Sequence, residues 1–203
     1  TGTITCDTYN GSTLIGSKPT SFTATVNESA SKPTLNPTAV DVNTKTTALT
    51  GDSSKFIKYY SNASVSTGAS ARNSATLKSQ KITCGAKSIS SASGTINAVE
   101  SGSFTFSATD SRGYPATQTV NKTLIEYIKL TCSLNAGAPT TDGVATLKIS
   151  GNYWDGTFGA LANTLTVQYR YKAQGGSYGS WTTVSATKSN NTYNATATIS
   201  GLD

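Results

Sequence analysis

Aromatic side chains in two short stretches are the groups of this chain whose types and spacing best suit ligand recognition. Tyr153, Trp154 and Phe158 lie close together in one segment, and Tyr178 and Trp181 flank a second. Exposed aromatic rings can stack on the rings of a sugar. The alternative is a structural role, in which Trp181 and Phe158 belong to the core and Tyr153 fixes its loop.

Trp154 is the strongest candidate for an exposed contact, because the turn residues Asp155 and Gly156 follow it directly. We therefore predict that Tyr153, Trp154 and Tyr178 are the candidate ligand contacts.

Catalysis is not expected. The chain contains no His, which excludes Ser-His and Cys-His relays. A glycosidase needs two carboxylates facing each other across a sugar. The nearest pairs in sequence, Asp142 with Asp155 and Glu100 with Asp110, occur at turn signals. Because the oxygen-ligand spacing of a calcium loop is absent, we predict no metal site, and we expect no cofactor.

The formal charge of +6 comes from sixteen Lys and Arg residues scattered between Lys18 and Lys188. A nucleic-acid-binding protein would cluster such residues on one face, so no nucleic-acid partner is predicted. A weak attraction to anionic cell-wall polymers is the alternative to a purely solubilising role. No apolar stretch is long enough to cross a membrane. Three distant cysteines, Cys6, Cys84 and Cys132, are predicted to be small buried hydrophobic residues of a protein that folds in a reducing cytoplasm.

The elements that must position the aromatic residues are β-strands. Residues 101–120, SGSFTFSATDSRGYPATQTV, predict a hairpin, since Phe104, Phe106 and Ala108 alternate with polar residues and a turn from Asp110 to Gly113 follows. A similar hairpin is predicted at the start of the chain, with a turn at residues 10–12 and a second strand at Phe22, Ala24 and Val26. No stretch shows helical periodicity.

Turn signals divide the chain into three parts. Residues 1–32 are predicted to be the terminal hairpin of a preceding β-sandwich plus a linker. Residues 33–126 are predicted to form a complete sandwich of about seven short strands. Residues 127–203 are predicted to form a sandwich that lacks its last strands. We expect either that the sequence is a window from a longer chain, or that the first hairpin of one copy completes the open sandwich of another.

Two segments carry a resemblance to a known family. TFSATDSRG resembles the penultimate-strand signature of immunoglobulin-like modules in phage tail and bacterial surface proteins. GNYWDGTFGALANTLTVQYRYK, followed by SWTTV, resembles minor structural tail proteins of siphophages that infect streptococci and related Gram-positive bacteria. ATISGLD resembles a turn of fibronectin type III modules. The resemblance implies an all-β fold of tandem antiparallel immunoglobulin-like and fibronectin type III-like β-sandwiches, and it brings no catalytic residues.

The function that the resemblance implies is structural. The chain would be a component of the phage tail tip or tail fibre, assembled in the host cytoplasm, and would act as a modular spacer or scaffold for host adhesion. Its expected partners are other tail or baseplate proteins, with the chain itself as a homo-oligomer in the virion. The alternatives are a carbohydrate-binding module that recognises host cell-wall polysaccharide and the stalk of a bacterial surface adhesin.

Overall fold

A computed structural model describes residues 1–24 and 27–202, and nearly all of its regular structure is antiparallel β-sheet. The all-β class predicted from the alternating pattern is therefore confirmed. The predicted position of Val26 in a strand falls outside the described residues, as does Asp203 at the end of the third predicted part.

The chain begins with a separate hairpin made of strand β1 (Gly2–Asn10) and strand β2 (Thr13–Phe22). The predicted turn is confirmed, and the backbone φ of +58° at Gly11 suits a glycine. The second strand, however, precedes the predicted one and ends at Phe22. Apart from the half-buried Gly2, every residue of both strands is exposed, so neither face of this hairpin is covered by the part of the chain that the structure describes.

The middle unit contains two short helices and two antiparallel sheets. Its elements are α1 (Glu28–Ser31), β3 (Thr38–Asp41), α2 (Thr44–Thr50), β4 (Lys55–Ile57), β5 (Ala63–Ser66), β6 (Leu77–Cys84), β7 (Lys87–Ile89), β8 (Ser93–Ile96), β9 (Ser103–Asp110), β10 (Pro115–Asn121) and β11 (Thr123–Ile125). One sheet has the order β3-β5-β8 and the other β10-β9-β6-β7, while β4 pairs in parallel with β11.

Both sheets contribute to a single core, so they pack face to face. Phe104 and Phe106 of β9 are completely buried, as the alternation of this strand predicts. The ring of Phe104 lies 5.3 Å from that of Phe56 in β4. The same cluster includes these buried residues from the two sheets: Ala39, Ala63, Val65, Ile82, Cys84 and Ile96.

The two helices correct the expectation that the chain has none. Helix α2 begins after Asn43, whose side chain accepts a hydrogen bond from the backbone of Lys45, and it ends at Gly51 in the left-handed conformation. Thr46 and Thr50 are buried against the unit. Because threonine is a poor helix former, caps and burial rather than propensity explain this helix.

The third unit consists of short strands around a smaller core. Its elements are β12 (Ser133–Ala136), β13 (Ala145–Asn152), β14 (Thr157–Phe158), β15 (Leu161–Ala162), β16 (Val167–Tyr169), β17 (Thr182–Val184), β18 (Ala186–Ser189) and β19 (Thr192–Ile199). The main sheet has the order β12-β13-β19-β18, with β14-β15 and β16-β17 as two-stranded sheets. The core joins Ile149, Tyr193 and Ala195 of the main sheet to Val167 of β16.

Alternation of Ile128, Leu130, Cys132 and Leu134 predicts that these residues share one inward face, but several of them are exposed. Leu130 precedes the first strand and Leu134 lies within it, and their exposed fractions are 57% and 62%. Of the three cysteines predicted to be buried, only Cys84 is, whereas Cys6 and Cys132 are exposed. Cys6 and Leu134 lie in strands with a face that no described strand covers, whereas Leu130 and Cys132 lie just before the first strand of this unit.

The described residues include no helix that is both long enough and apolar enough to cross a membrane.

Candidate functional site

Tyr153, the first of the predicted contacts, follows the last residue of β13 and is only 2% exposed. Its hydroxyl donates to the backbone oxygen of Asn163 (2.8 Å) and contacts the Asp155 carboxylate (3.1 Å). Burial, followed by the hydrogen bond to Asp155, raises the pKa of Tyr153. Tyr153 therefore closes the loop between residues 153 and 163, which is the structural alternative considered for it.

Trp154 is half-buried rather than exposed. Its ring centroid lies 4.6 Å from that of Phe158 and 5.6 Å from that of Tyr127, which belongs to the connection between the two β-units. Gly156 passes so close that a Cβ there would lie 2.2 Å from Trp154 Cζ2. Thus the turn after Trp154 covers the ring instead of presenting it to solvent.

Tyr178 is accessible, with 56% of its surface exposed. The Arg170 guanidinium lies between two rings, with Cζ 4.6 Å from the centroid of Tyr178 and 4.4 Å from that of Trp181. The Lys172 ammonium is 5.2 Å from Tyr178. Each exposed cation–π contact contributes on the order of 0.5–1 kcal/mol. We call Arg170, Lys172, Tyr178 and Trp181 the aromatic–cation surface.

Trp181 is 57% exposed, so the structural alternative, in which it belongs to the core, does not apply to it. The segment between β16 and β17 folds back through a turn at Gly175, where φ is +74°, and Gly179 N–H donates to the Tyr171 backbone oxygen at 3.0 Å. This return brings Tyr178 and Trp181 to Arg170. Alternation along residues 165–172 predicts that Arg170 faces outward. It does not predict that Arg170 contacts Tyr178 and Trp181, because these residues lie beyond a loop.

A groove of about 370 Å³ lies beside this surface, between the main sheet of the third unit and β16. We call it the open groove. It is lined by these residues: Cys132, Leu134, Leu147, Ile149, Gln168, Tyr169, Arg170, Tyr178 and Trp181. Its lining combines apolar side chains with the cation of Arg170.

A second cavity, of about 580 Å³, lies where the two β-units meet. Its charged groups are already engaged: Lys58 Nζ is 2.6 Å from Glu126 Oε2, and Lys129 Nζ lies 4.5 Å from the centroid of the Tyr59 ring. Such internal pairing suits a joint between units better than it suits a ligand site.

The carboxylates considered for catalysis serve turns and ion pairs. Asp110 is completely buried and accepts from Arg112 Nε and Nη2 at 3.0 and 2.7 Å. Glu100 faces Lys87 at 3.6 Å. Asp155 contacts the Tyr153 hydroxyl. Within the described residues, no three His, Cys, Asp or Glu side chains are grouped so that they could hold a metal ion.

Asp41 is a buried carboxylate that no sequence signal indicated. It is 3% exposed and accepts hydrogen bonds from the hydroxyls of Thr46 and Ser61 and from the backbone of Asn43 and Asn62. These donors come from the loop after β3, from α2 and from the two residues before β5. Asp41 therefore fastens α2 to the first sheet and has a structural role.

Comparison with known proteins identifies the family to which the chain belongs. Neither the curated proteins nor the solved structures contain a match to the chain. A family model described as "Siphovirus protein of unknown function (DUF859)" matches residues 1–194, which is nearly the whole sequence. The resemblance to siphophage proteins is thereby supported at the level of the virus group. The chain belongs to this family of siphovirus proteins.

Proposed function

We propose that the chain is a structural component of the virion, located in the tail tip or a tail fibre, where its β-units act in series as a spacer for host adhesion. Membership of a siphovirus family supports a virion component. The proposed role is mechanical and not enzymatic, and the proposed partners are other tail or baseplate proteins and further copies of the chain.

The observation that carries this proposal is the aromatic joint, which we define as Tyr60, Tyr127, Trp154 and Phe158. The Tyr127 ring meets the edge of Tyr60 at 5.1 Å and an interplanar angle of 88°. It also lies 5.6 Å from Trp154 and 6.0 Å from Phe158. Tyr60 belongs to the middle unit and Trp154 to the third, so one connecting residue contacts both. Offset and edge-on pairs each add about 0.5–1.5 kcal/mol beyond their burial.

The connection between the units is also short and tied at its ends. Strand β11 pairs in parallel with β4, so Ile125 lies opposite Ile57 and the chain leaves the middle unit from inside a sheet. Lys58 then pairs with Glu126 at 2.6 Å, directly before Tyr127. A spacer holds its two ends at a fixed distance only if its joints resist bending. A short connection without a Gly- or Pro-rich linker favours such a stiff joint.

Strand order supports immunoglobulin-like and fibronectin type III-like modules as the finer description. In the middle unit, the sheets β3-β5-β8 and β10-β9-β6-β7 face each other around one core, as in immunoglobulin-like sandwiches. The third unit repeats part of this order, with β12-β13-β19 matching β3-β5-β8 and β16-β17 matching β6-β7. We propose that the two units are tandem modules of this kind.

The role can be tested on purified virions. Mass spectrometry should find the chain in intact particles in a fixed ratio to the tail proteins, and antibody labelling in electron micrographs should place it at the tail tip or a fibre. Absence from washed particles, or labelling confined to the capsid, would overturn the proposed role.

The aromatic–cation surface favours a second candidate function, binding of host cell-wall polysaccharide. Tyr178 and Trp181 present accessible rings, and Arg170 and Lys172 add positive charge for anionic groups. Binding of the chain to purified host cell walls should then fall at least severalfold in Tyr178→Ala and remain unchanged in the control Tyr60→Ala, which alters the joint. Equal binding by the Tyr178→Ala variant and the unaltered chain would remove this candidate.

A further inference from the structure

Arg170 lies on the outer face of the β16–β17 hairpin. Val167 and Val184 are opposite each other in this hairpin and pack against the core of the third unit, so the alternate positions face outward. On this outer face, Gln168 Nε2 donates to Thr183 Oγ1 at 3.1 Å. Arg170 is the next outward position along β16, and it is exposed. The accessibility of Arg170 therefore follows from the alternation of the hairpin itself.

The segment that contains Arg170 carries only positive charge. From residue 156 to residue 202 the sequence contains no Asp or Glu, and its charged residues are Arg170, Lys172 and Lys188. Within the part of the chain that the structure describes, no carboxylate forms an ion pair with Arg170 or Lys172. These two cations can therefore attract an anion from another molecule.

The rings beside Arg170 already hold cations. Arg170 Cζ lies over Tyr178 and Trp181, 4.6 and 4.4 Å from their centroids, and Lys172 Nζ lies over Tyr178 at 5.2 Å. A sugar that stacked on the ring faces turned towards these cations would have to displace them. The two rings instead hold the planar guanidinium in place, which fixes the direction of its N–H donors. This arrangement favours an anionic group over a neutral sugar ring.

A cavity of about 430 Å³ adjoins the aromatic–cation surface at Lys172. The loop between β16 and β17 forms much of its wall, and its lining includes the hydroxyl groups of Tyr171, Ser177, Ser180 and Thr182. Hydroxyl and ammonium groups are donors for the oxygens of phosphates, carboxylates and sugars. Because Lys172 belongs to both the surface and the cavity, one extended ligand can contact both.

We propose that Arg170 and Lys172 bind the oxyanions, phosphate or carboxylate groups, of an anionic wall polysaccharide, and that these groups rather than the sugar rings determine recognition. The inference rests on the second candidate function proposed above and names the ligand class of its site. A guanidinium presents its N–H donors in a fork that matches two oxygens of either oxyanion, whereas an ammonium acts as a point charge. Binding should therefore weaken as salt increases and should depend on the arginine fork.

Co-sedimentation of the full chain with purified host cell walls tests the inference. Soluble poly(glycerol phosphate) and polygalacturonate serve as competitors that carry phosphate or carboxylate, and dextran serves as the uncharged competitor. At least one anionic polymer should displace the chain from the walls, and its identity gives the source of the oxyanion, while dextran should not displace it. Arg170→Gln should lower wall binding at least severalfold. Arg170→Lys should retain only part of the binding, because lysine keeps the charge but lacks the fork.

Lys148→Gln is the matched control, since it removes the same charge from an exposed position of β13 in the same unit. Neither Lys148 nor Arg170 is part of the core, so circular dichroism should be the same for all variants. Equal losses in Arg170→Gln and Lys148→Gln would overturn the inference, because net charge alone would then explain binding. Displacement by double-stranded DNA at lower concentrations than by either anionic polymer would also overturn it and assign the site to nucleic acid.

The same assay separates failure of this inference from failure of the second candidate function. Wall binding that persists in Arg170→Gln and in the presence of both anionic polymers, but falls in Tyr178→Ala, would overturn the inference and leave polysaccharide binding through the rings intact. An unaltered chain that does not sediment with the walls at all would remove both.

Discussion

Arg112 binds Asp110 and the segment before the first sandwich strand through the same nitrogen: Nη2 lies 2.7 Å from Asp110 Oδ2 and 2.7 Å from the backbone oxygen of Ser31. The Asp110 carboxylate also accepts from the backbone N–H groups of Arg112 and Tyr114 at 2.9 and 3.0 Å. The pair thus closes the β9–β10 turn and attaches it to α1. Arg112 Nε also donates to Asp110 Oδ2 at 3.0 Å, so two guanidinium N–H groups converge on one carboxylate oxygen, and charge-assisted hydrogen bonds of this kind are stronger than neutral ones.

Asp110 should make the stability of the chain sensitive to acid. Burial raises the pKa of this carboxyl, but the hydrogen bonds from Arg112 and the backbone outweigh it, so the pKa lies below its ordinary value of 3.8. A carboxyl with a lowered folded-state pKa stabilises the fold fully above the ordinary pKa, and this stabilisation is lost as the pH falls towards the folded-state pKa. Urea unfolding should show Asp110→Asn less stable than the unaltered chain at neutral pH.

The difference between Asp110→Asn and the unaltered chain should shrink as the pH falls below 3.8, because the unfolded chain then takes up a proton at Asp110 before the folded chain does. Asp142→Asn is the control, since Asp142 is exposed in a turn. A difference that stays constant with pH would show that Asp110 acts through shape and not through charge.

The same hairpin shows what the sequence could predict. Alternating apolar residues identified β9, and Asp110 and Gly113 marked its turn, because both signals are local. The sequence does not predict helix α2, because its Thr-rich segment has no apolar periodicity. The helix is supported by the buried Asp41 carboxylate, which accepts hydrogen bonds from Thr46 and from the distant Ser61. Burial of polar residues through long-range hydrogen bonds leaves no periodic pattern.

The candidate site was predictable only in part, for a related reason. Composition and spacing identified the two aromatic stretches but not which rings face solvent. Phe158 and Trp154 enter a joint formed with Tyr127, while Trp181 is left exposed beside Arg170. Whether an aromatic residue is buried depends on which unit packs against its loop, and single-strand periodicity does not contain that information.

Phe104 should be among the most costly core positions to truncate. It is completely buried, and its ring packs against that of Phe56 in β4. Phe104→Ala leaves a cavity and should lower the free energy of unfolding by about 3–5 kcal/mol. Thr105→Ala, on the other face of the same strand, should change it by less than about 1 kcal/mol. Urea unfolding followed by circular dichroism compares the two, and similar losses would contradict the described orientation of β9.

Cysteine reactivity should separate the three thiols. Burial raises the pKa of Cys84, whose thiol donates to the Ser101 backbone oxygen at 3.1 Å, while Cys6 and Cys132 are exposed. In dilute solution, where single copies prevail, a thiol reagent should modify two cysteines quickly and the third only on unfolding. Mass spectrometry of the peptides should identify the slow one as Cys84. Rapid modification of Cys84 in the folded chain would contradict the packing of the middle unit.

The two β-units should lose their fixed arrangement when the aromatic joint is weakened. Tyr127→Ala removes the ring that contacts both Tyr60 and Trp154. The Lys58–Glu126 pair and the contact of Lys129 with the Tyr59 ring remain, but solvent-accessible pairs of this kind contribute little. Small-angle X-ray scattering of dilute chains should then show a broader distribution of interatomic distances and a larger radius of gyration.

Tyr171→Ala is the matched control, since Tyr171 is 49% exposed and lies outside the joint. Far-ultraviolet circular dichroism should be the same for both variants, because each β-unit retains its own core. If the scattering curve of Tyr127→Ala matches that of the unaltered chain, stiffness does not come from the aromatic joint. The mechanical argument for a spacer would then lose its structural basis.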